Sequence, residues 1–73
     1  MQNKQITLGK WLQLLRKNKG YTQRELADAL MISYRTIQQW ECDHSIPSLY
    51  TAYGLATLYK MPMEELINGY TQY

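Results

Sequence analysis

Apolar side chains recur at helical spacing near the start of the chain and predict a first helix over residues 7–18. Its stripe, at i, i+3, i+4 and i+7, comprises Leu8, Trp11, Leu12 and Leu15. Thr7 is placed to cap this helix, and Gly20 can supply a left-handed residue beyond its end. Arg16 falls close to the stripe, which suggests that its charge has a partner.

The stretch from Thr22 to Glu41 predicts two further short helices with a tight break between them. Thr22 and Glu25 have the spacing of a capping box, which fixes the start of the first of the pair. Ser33 can cap the second. The apolar positions are Leu26, Ala27 and Leu30 in the first of these helices, and Ile32, Ile37 and Trp40 in the second.

The remaining chain predicts a fourth helix opened by Pro47-Ser48 and a short fifth helix over residues 63–67. The fourth helix is expected to bury a stripe and to keep its tyrosine hydroxyls at the edge of the core. That stripe is Leu49, Ala52, Tyr53, Ala56 and Tyr59. We therefore predict an all-α domain of five short helices over residues 7–67, with a flexible arm at 1–6 and a tail at 68–73.

The third predicted helix has a side with no apolar residue to bury. This polar face consists of Tyr34, Arg35, Thr36, Gln38 and Gln39. Arginine can bind guanine O6 and N7, and glutamine can bind adenine N6 and N7, in the major groove of DNA. The helix pair is also the arrangement that places its second helix in that groove. The alternative is a solvated polar face with no ligand.

The charge of the chain is unevenly distributed, although the net value is only +2. Residues 1–40 carry a net charge of +5 and residues 41–73 a net charge of −3. The helix pair thus lies in the basic half, as a phosphate-binding surface requires. A net charge of +2 is small for an architectural or nonspecific nucleic-acid-binding protein.

Length and composition narrow the remaining classes. The 73 residues allow one domain, and the single cysteine allows no internal disulfide, which favours a reduced, cytoplasmic setting. The sequence contains no apolar run of 18 residues and no charged-then-apolar leader, so we expect neither membrane insertion nor export. The aromatic residues fall mostly on apolar stripes, which favours a core role over RNA stacking.

The sequence offers little for catalysis or metal binding. Cys42 and His44 are the only cysteine and histidine, and two candidate ligands do not make a metal site. Glu64 and Glu65 are adjacent, so on a helix their carboxylates point in different directions. We therefore expect no enzyme activity, no catalytic residue, no metal and no cofactor.

The chain resembles the Xre/Cro-type helix-turn-helix family, the fold of phage repressors and many small bacterial regulators. The resemblance covers residues 7–67 and is carried by three segments. These are LGKWLQLLRKNKGYTQRELADAL for the opening two helices, SYRTIQQWE for the recognition helix and IPSLYTAYGLATLY for the fourth helix. Matching helices before and after the central pair make the pattern specific.

The resemblance implies a role for each matching position. Tyr34, Arg35 and Gln39 correspond to base-facing positions, and the residues flanking them are Ser33, Thr36 and Gln38. Gln23 corresponds to a glutamine that holds a phosphate and braces the recognition helix. The other phosphate contacts expected are Thr22, Lys17, Lys19 and His44. Arg16 and Glu41 correspond to a structural pair between the first and third helices.

The chain departs from the family pattern at its turns. Met31 and Lys60 stand where glycine is usual, so either the turns are altered or a left-handed backbone is strained there. Cys42-Asp43 replaces a frequent Asn-Gly, and aspartate can still adopt that conformation. His44-Ser45 replaces residues that are often basic, which lowers the expected phosphate affinity.

The function that these observations predict is sequence-specific binding to double-stranded DNA as a homodimer, with repression by occupation of an operator. The alternative is an antitoxin-type or developmental regulator whose main contact is a protein partner. Members of the family act in both ways, and from the 73 residues we expect no separate effector domain that would decide between them.

Overall fold

The computed structural model describes residues 6–71, with side chains up to residue 67. This range forms five α-helices and no strand, which confirms the all-α prediction. The helices are α1 (Leu8–Asn18), α2 (Gln23–Leu30), α3 (Tyr34–Glu41), α4 (Leu49–Tyr59) and α5 (Met63–Thr71). The arm predicted for residues 1–6 lies outside the described residues except for Ile6. Within the described range, no helix has the length and apolar character needed to span a membrane.

Four helices begin at a hydroxyl-bearing residue whose side chain accepts a hydrogen bond from the backbone N–H three positions later. These N-caps are Thr7, Thr22, Ser33 and Ser48. The capping box predicted at Thr22 is complete, because the Glu25 carboxylate also accepts from the Thr22 N–H at 2.9 Å. Each cap satisfies a donor that the helix itself leaves unpaired, so the starts of these helices are set locally.

Four helices, α1 to α4, end in the same left-handed turn. Gly20, Met31 and Lys60 have φ angles of 86°, 58° and 56°. In each turn the following N–H bonds to a carbonyl five residues back, as from Ile32 to Ala27 at 3.0 Å. Met31 and Lys60 therefore keep the turn that favours glycine, at a strain of about 1–2 kcal/mol each. The turns are not altered. Asp43, with φ of 62°, also adopts the left-handed conformation expected for it.

The core lies where α3 packs against α1 and α2, with α4 and α5 closing the other side. Ile37 is at its centre with 0% exposure, and Trp40 lies one turn further along α3. The remaining buried apolar residues are Leu12, Leu15, Leu26, Ala27, Leu55, Ala56, Tyr59 and Leu66. The stripes predicted for α1, α2 and α3 supply most of this core.

The prediction of which side of α4 faces the core is wrong in part. Leu49 and Tyr53 are 79% and 63% exposed, whereas Leu55, absent from the predicted stripe, is buried. Both sides of α4 are apolar, so the spacing alone did not select the side that meets the core. The packing of α2 and α5 against this helix selected it.

The expectation that the tyrosine hydroxyls of α4 lie at the edge of the core is wrong for Tyr59. Its side chain is buried, and its hydroxyl has no hydrogen-bond partner within the described residues. Burial raises the pKa of Tyr59 to about 12, because the ionised phenolate loses the stabilisation that water provides.

The fifth helix is longer than predicted. It runs to Thr71 rather than ending at Ile67, because Gly69 lowers helix propensity by only about 1 kcal/mol and does not break the helix. The carbonyl of Leu66 accepts a 2.7 Å hydrogen bond from the indole N–H of Trp11. This bond and the burial of Leu66 fasten α5 to α1.

Gly9 allows a close approach between the start of α1 and the end of α3. A β-carbon built on Gly9 would collide with the Trp40 carbonyl oxygen and lie 2.9 Å from that of Glu41. The Gly9 N–H donates a 2.8 Å hydrogen bond to Asp43 Oδ1. Glycine is therefore required at this position by space, although its backbone is ordinary helix.

We predict that Gly9→Ala destabilises the protein by about 1–3 kcal/mol, because the added methyl group forces the two helices apart. The measurement is the free energy of unfolding in urea. Gly54→Ala is the matched control, since Gly54 is also helical but its added β-carbon would meet only Leu30 at 3.6 Å. That variant should gain up to about 1 kcal/mol. Equal changes for the two variants would contradict the packing argument.

Candidate nucleic-acid interface

Of the polar face of α3, Arg35, Gln38 and Gln39 lie away from the two residues that pack into the core, whereas Tyr34 lies at the core margin. Ile37 and Trp40 point into the core, which leaves Arg35 and Gln38 exposed and Gln39 half-buried. Tyr34 and Thr36 are also half-buried. The helix is eight residues long, so its orientation depends on this packing and not on intrinsic helix stability.

Two predicted flanking residues are already engaged with the helix start. The Ser33 hydroxyl accepts from the Thr36 N–H at 3.2 Å and lies 3.1 Å from the Thr36 hydroxyl. These two side chains therefore serve the N-cap of α3 first. Arg35, Gln38 and Gln39 make no such local side-chain bond in the described structure, and the side chains of Arg35 and Gln38 are exposed.

An open cleft of about 450 Å³ brings several of the predicted residues together at the far end of α3. Its walls are Arg35, Gln38, Gln39, Cys42 and His44. The loop after α3 is held over this end because the N–H of His44 donates to the Gln39 carbonyl at 2.9 Å. The exposed thiol of Cys42 was not among the predicted site residues.

A second open cleft, of about 330 Å³, lies between the starts of α2 and α3. It is lined by Thr22, Gln23, Arg24 and Tyr34. This arrangement joins two predicted phosphate-binding residues to a predicted base-facing residue. Lys17 and Lys19 are exposed near the end of α1 and line neither cleft.

Arg24 is a second residue of this surface that the sequence prediction missed. Its guanidinium carbon lies 4.2 Å from the centroid of the Tyr34 ring, a cation–π contact. A signal was present in the sequence: Arg24 falls in the first turn of α2, where the helix dipole disfavours a positive charge. A cation in that place calls for a compensating contact, which the ring of Tyr34 supplies.

A buried network fixes the polar face relative to the rest of the domain. Arg16 Nε and Nη2 donate to the two carboxylate oxygens of Glu41 at 2.7 and 3.0 Å, with both side chains less than 10% exposed. Arg16 Nη1 also donates to the Tyr21 carbonyl at 2.9 Å, and Gln23 Nε2 donates to Glu41 Oε1 at 2.9 Å. The hydrogen bond to Glu41 raises the pKa of Arg16 and outweighs the opposing effect of burial.

The network connects the end of α1, the first residue of α2 and the last residue of α3. One amide N–H of Gln23 is thus used to hold the end of α3, while the neighbouring Thr22 remains exposed at the surface. The bidentate geometry restricts the position of Glu41 more tightly than a single hydrogen bond does. The surfaces formed by α2 and α3 therefore have a fixed separation.

Comparison with known proteins agrees with this geometry. A family model described as helix-turn-helix matches residues 12–66. The chain belongs to the Xre/Cro-type helix-turn-helix family. The match begins within α1 and ends in α5, so it takes in the whole network and both clefts.

Three relatives illustrate the similarity. The HTH-type transcriptional regulator DicA of Escherichia coli (strain K12) is 44% identical over 48 residues, covering 66% of this chain and 36% of DicA. The HTH-type transcriptional regulator ImmR of Bacillus subtilis (strain 168) is 34% identical, covering 85% of this chain and 49% of ImmR. The HTH-type transcriptional activator BcrR of Enterococcus faecalis is 31% identical, covering 80% and 28%. The chain spans less than half the length of these curated relatives.

We predict that Glu41→Gln destabilises the protein by about 3–5 kcal/mol, because it leaves the buried guanidinium of Arg16 without its counter-charge. Urea denaturation measures the loss. Glu25→Gln is the matched control: it removes one exposed carboxylate, and glutamine can still complete the capping box. Its effect should stay within about 0.5 kcal/mol. Equal stability of the two variants would show that the ion pair makes no net contribution.

Proposed function

We propose that the protein is a sequence-specific regulator of transcription that binds double-stranded DNA and represses by occupying an operator. The observation that carries the proposal is the polar face of α3, exposed on one side and fixed on the other by Ile37, Trp40 and the Glu41 network. A rigid helix with arginine and glutamine donors on its outer side suits the major groove. Membership of the helix-turn-helix family supports the same docking.

In this proposal the residues of α3 read bases, and the residues around it hold the phosphate backbone. Arg35 binds a guanine, and Tyr34 and Gln39 set the neighbouring positions. The flanking residues are Ser33, Thr36 and Gln38. The phosphate contacts are Thr22, Gln23, Lys17, Lys19 and His44. Phosphate contacts set orientation and register, whereas contacts with base edges select the sequence.

The proposed regulator acts as a homodimer in the cytoplasm. One α3 helix in one groove offers a small interface, and two copies bind half-sites about 34 Å apart on a near-palindromic operator. The candidate dimer surfaces are α5 and the tail residues Tyr70 and Tyr73. The side chains of these two tyrosines lie outside the described residues.

The test is selection of binding sites from a random duplex pool at about 0.15 M salt, with wild type and Arg35→Ala in parallel. We expect the wild type to recover a palindromic motif. The variant should lose roughly 1–3 kcal/mol of binding and relax the preference at one base pair per half-site, because the bidentate guanine contact is gone.

Lys60→Asn is the control for this experiment, because it removes one positive charge at the end of α4 and asparagine tolerates the left-handed backbone. It should leave the motif unchanged. If Arg35→Ala lost the same affinity for all sequences, Arg35 would contact a phosphate and not a base. Recovery of no motif by folded wild-type protein would contradict the proposed function.

A second candidate function, regulation through a protein partner, is favoured by an apolar groove between the end of α2 and α4. Its walls are uncharged: Leu30, Met31, Ile32, Tyr50, Thr51, Tyr53 and Gly54. Met31 is 86% exposed and Tyr50 87%. Such a surface fits an apolar segment of another protein better than it fits phosphate.

For this candidate we expect Tyr53→Gln to retain operator binding in vitro but to lose regulation of an operator-linked reporter in cells. Thr57→Gln, at another exposed position of α4, is the control that should change neither. Unchanged regulation by Tyr53→Gln would contradict a partner in the groove. The direction of regulation is read from the same reporter, since BcrR is named an activator.

A further inference from the structure

The contact between Arg24 and Tyr34 joins the two helices of the central pair at the point where α3 begins. Arg24 is exposed in the first turn of α2, and Tyr34 is the first residue of α3. The guanidinium carbon lies 4.2 Å from the ring centroid, well within the distance of a cation–π interaction. Residues 22–24 and Tyr34 line one cleft, so this pair forms part of the proposed DNA surface.

The surroundings of Tyr34 restrict its ring from two directions. The ring packs against the hydrophobic core, where Tyr34 is one of the partly buried residues at its margin. Arg24 lies against the face of the ring. A tyrosine held in this way has a defined orientation before any ligand arrives, so the edge of its ring and its hydroxyl are presented in one direction.

We propose that Arg24 is a positioning residue that sets the base preference at the base pair facing the start of α3, by fixing the ring of Tyr34. This inference rests on the proposed function. The planar guanidinium is essential to it, because arginine can lie flat on an aromatic ring while its N–H groups remain free at the edge. A lysine at this position keeps the positive charge but cannot stack in the same way.

Arg24 is both charged and planar, so an alternative role, through its charge alone, has to be distinguished from the proposed one. If Arg24 acts only as a cation near phosphate, its contribution depends on charge and is the same for every DNA sequence. If it acts through Tyr34, its contribution depends on the stacked plane and is confined to one base pair. Arg24→Lys separates the two, because it removes the plane and keeps the charge.

The experiment measures the selected motif, the affinity for a scrambled duplex and the salt dependence of binding for four proteins. These are wild type, Arg24→Lys, Tyr34→Leu and the double variant. For Arg24→Lys we expect the affinity for scrambled DNA and the salt slope of the wild type, with the preference at one base pair reduced about fivefold or more. Tyr34→Leu should reduce the preference at the same base pair. The double variant should lose no more of this preference than Tyr34→Leu alone.

Tyr34→Phe is the conservative variant that keeps the ring and its contact with Arg24. Adding Arg24→Lys to Tyr34→Phe should reduce the preference at this base pair, as Arg24→Lys does in the wild-type background. If Tyr34→Leu does not fold, the comparison of Arg24→Lys in the wild-type and Tyr34→Phe backgrounds still decides the question. Folding of each variant is checked by circular dichroism.

Three results would overturn the proposal. These are an unchanged motif for Arg24→Lys, a loss that is uniform over all sequences, and additive losses in the double variant. A wild-type motif accompanied by any of them would refute the role of Arg24 and leave the proposed function standing. Absence of a motif from the wild type would refute the proposed function, and this inference with it.

Discussion

The buried ion pair between Arg16 and Glu41 is the interaction on which the arrangement of the candidate interface depends. It joins the end of α1 to the end of α3, and Gln23 adds the start of α2 through the same carboxylate. Removing two charges from water is costly. The attraction between them offsets this cost only when the geometry is good and the remaining donors are satisfied. Here the pair is bidentate, and Arg16 also bonds the Tyr21 carbonyl, so these conditions are met.

A helix as short as α3 needs such external support. An isolated helix of eight residues is not stable in water, so α3 is held by its neighbours at each end and along its buried side. Glu41 fixes its last residue, the Ser33 cap and the Arg24 contact fix its first turn, and Ile37 fills the centre of the core. The outer side is thereby free to present the exposed side chains of Arg35 and Gln38, which are not needed for packing. The buried side of α3 thus contributes stability, and in the proposed function the outer side contributes DNA binding.

The turns show how tertiary packing overrides local preference. Met31 and Lys60 adopt left-handed backbone conformations that glycine would adopt without strain. The five-residue hydrogen bonds that close these turns, together with packing on both sides, outweigh about 1–2 kcal/mol of local strain at each position. The family's turn geometry therefore survives the loss of its glycines, which the sequence alone left open.

The sequence by itself determined what depends on residues close together in the chain: the helix starts at Thr7, Thr22, Ser33 and Ser48, and the stripes of α1, α2 and α3. A cap joins residues three positions apart, and an amphipathic stripe distinguishes its own buried side, so both can be recognised without knowledge of the neighbours. The polar face of α3 emerged in the same way, as the part left over once the stripe was assigned.

Only the tertiary structure decided what depends on distant partners. The buried side of α4 was set by packing, because a helix that is apolar on both sides carries no preference of its own. The need for glycine at position 9 comes from a carbonyl 31 residues away, at Trp40, and the contact of Arg24 comes from the ring that begins the next helix. These contacts are consequences of where the helices meet: the position of Arg24 in the first turn of α2 indicates that a compensating contact is needed, but only the packing of the helices decides which residue supplies it.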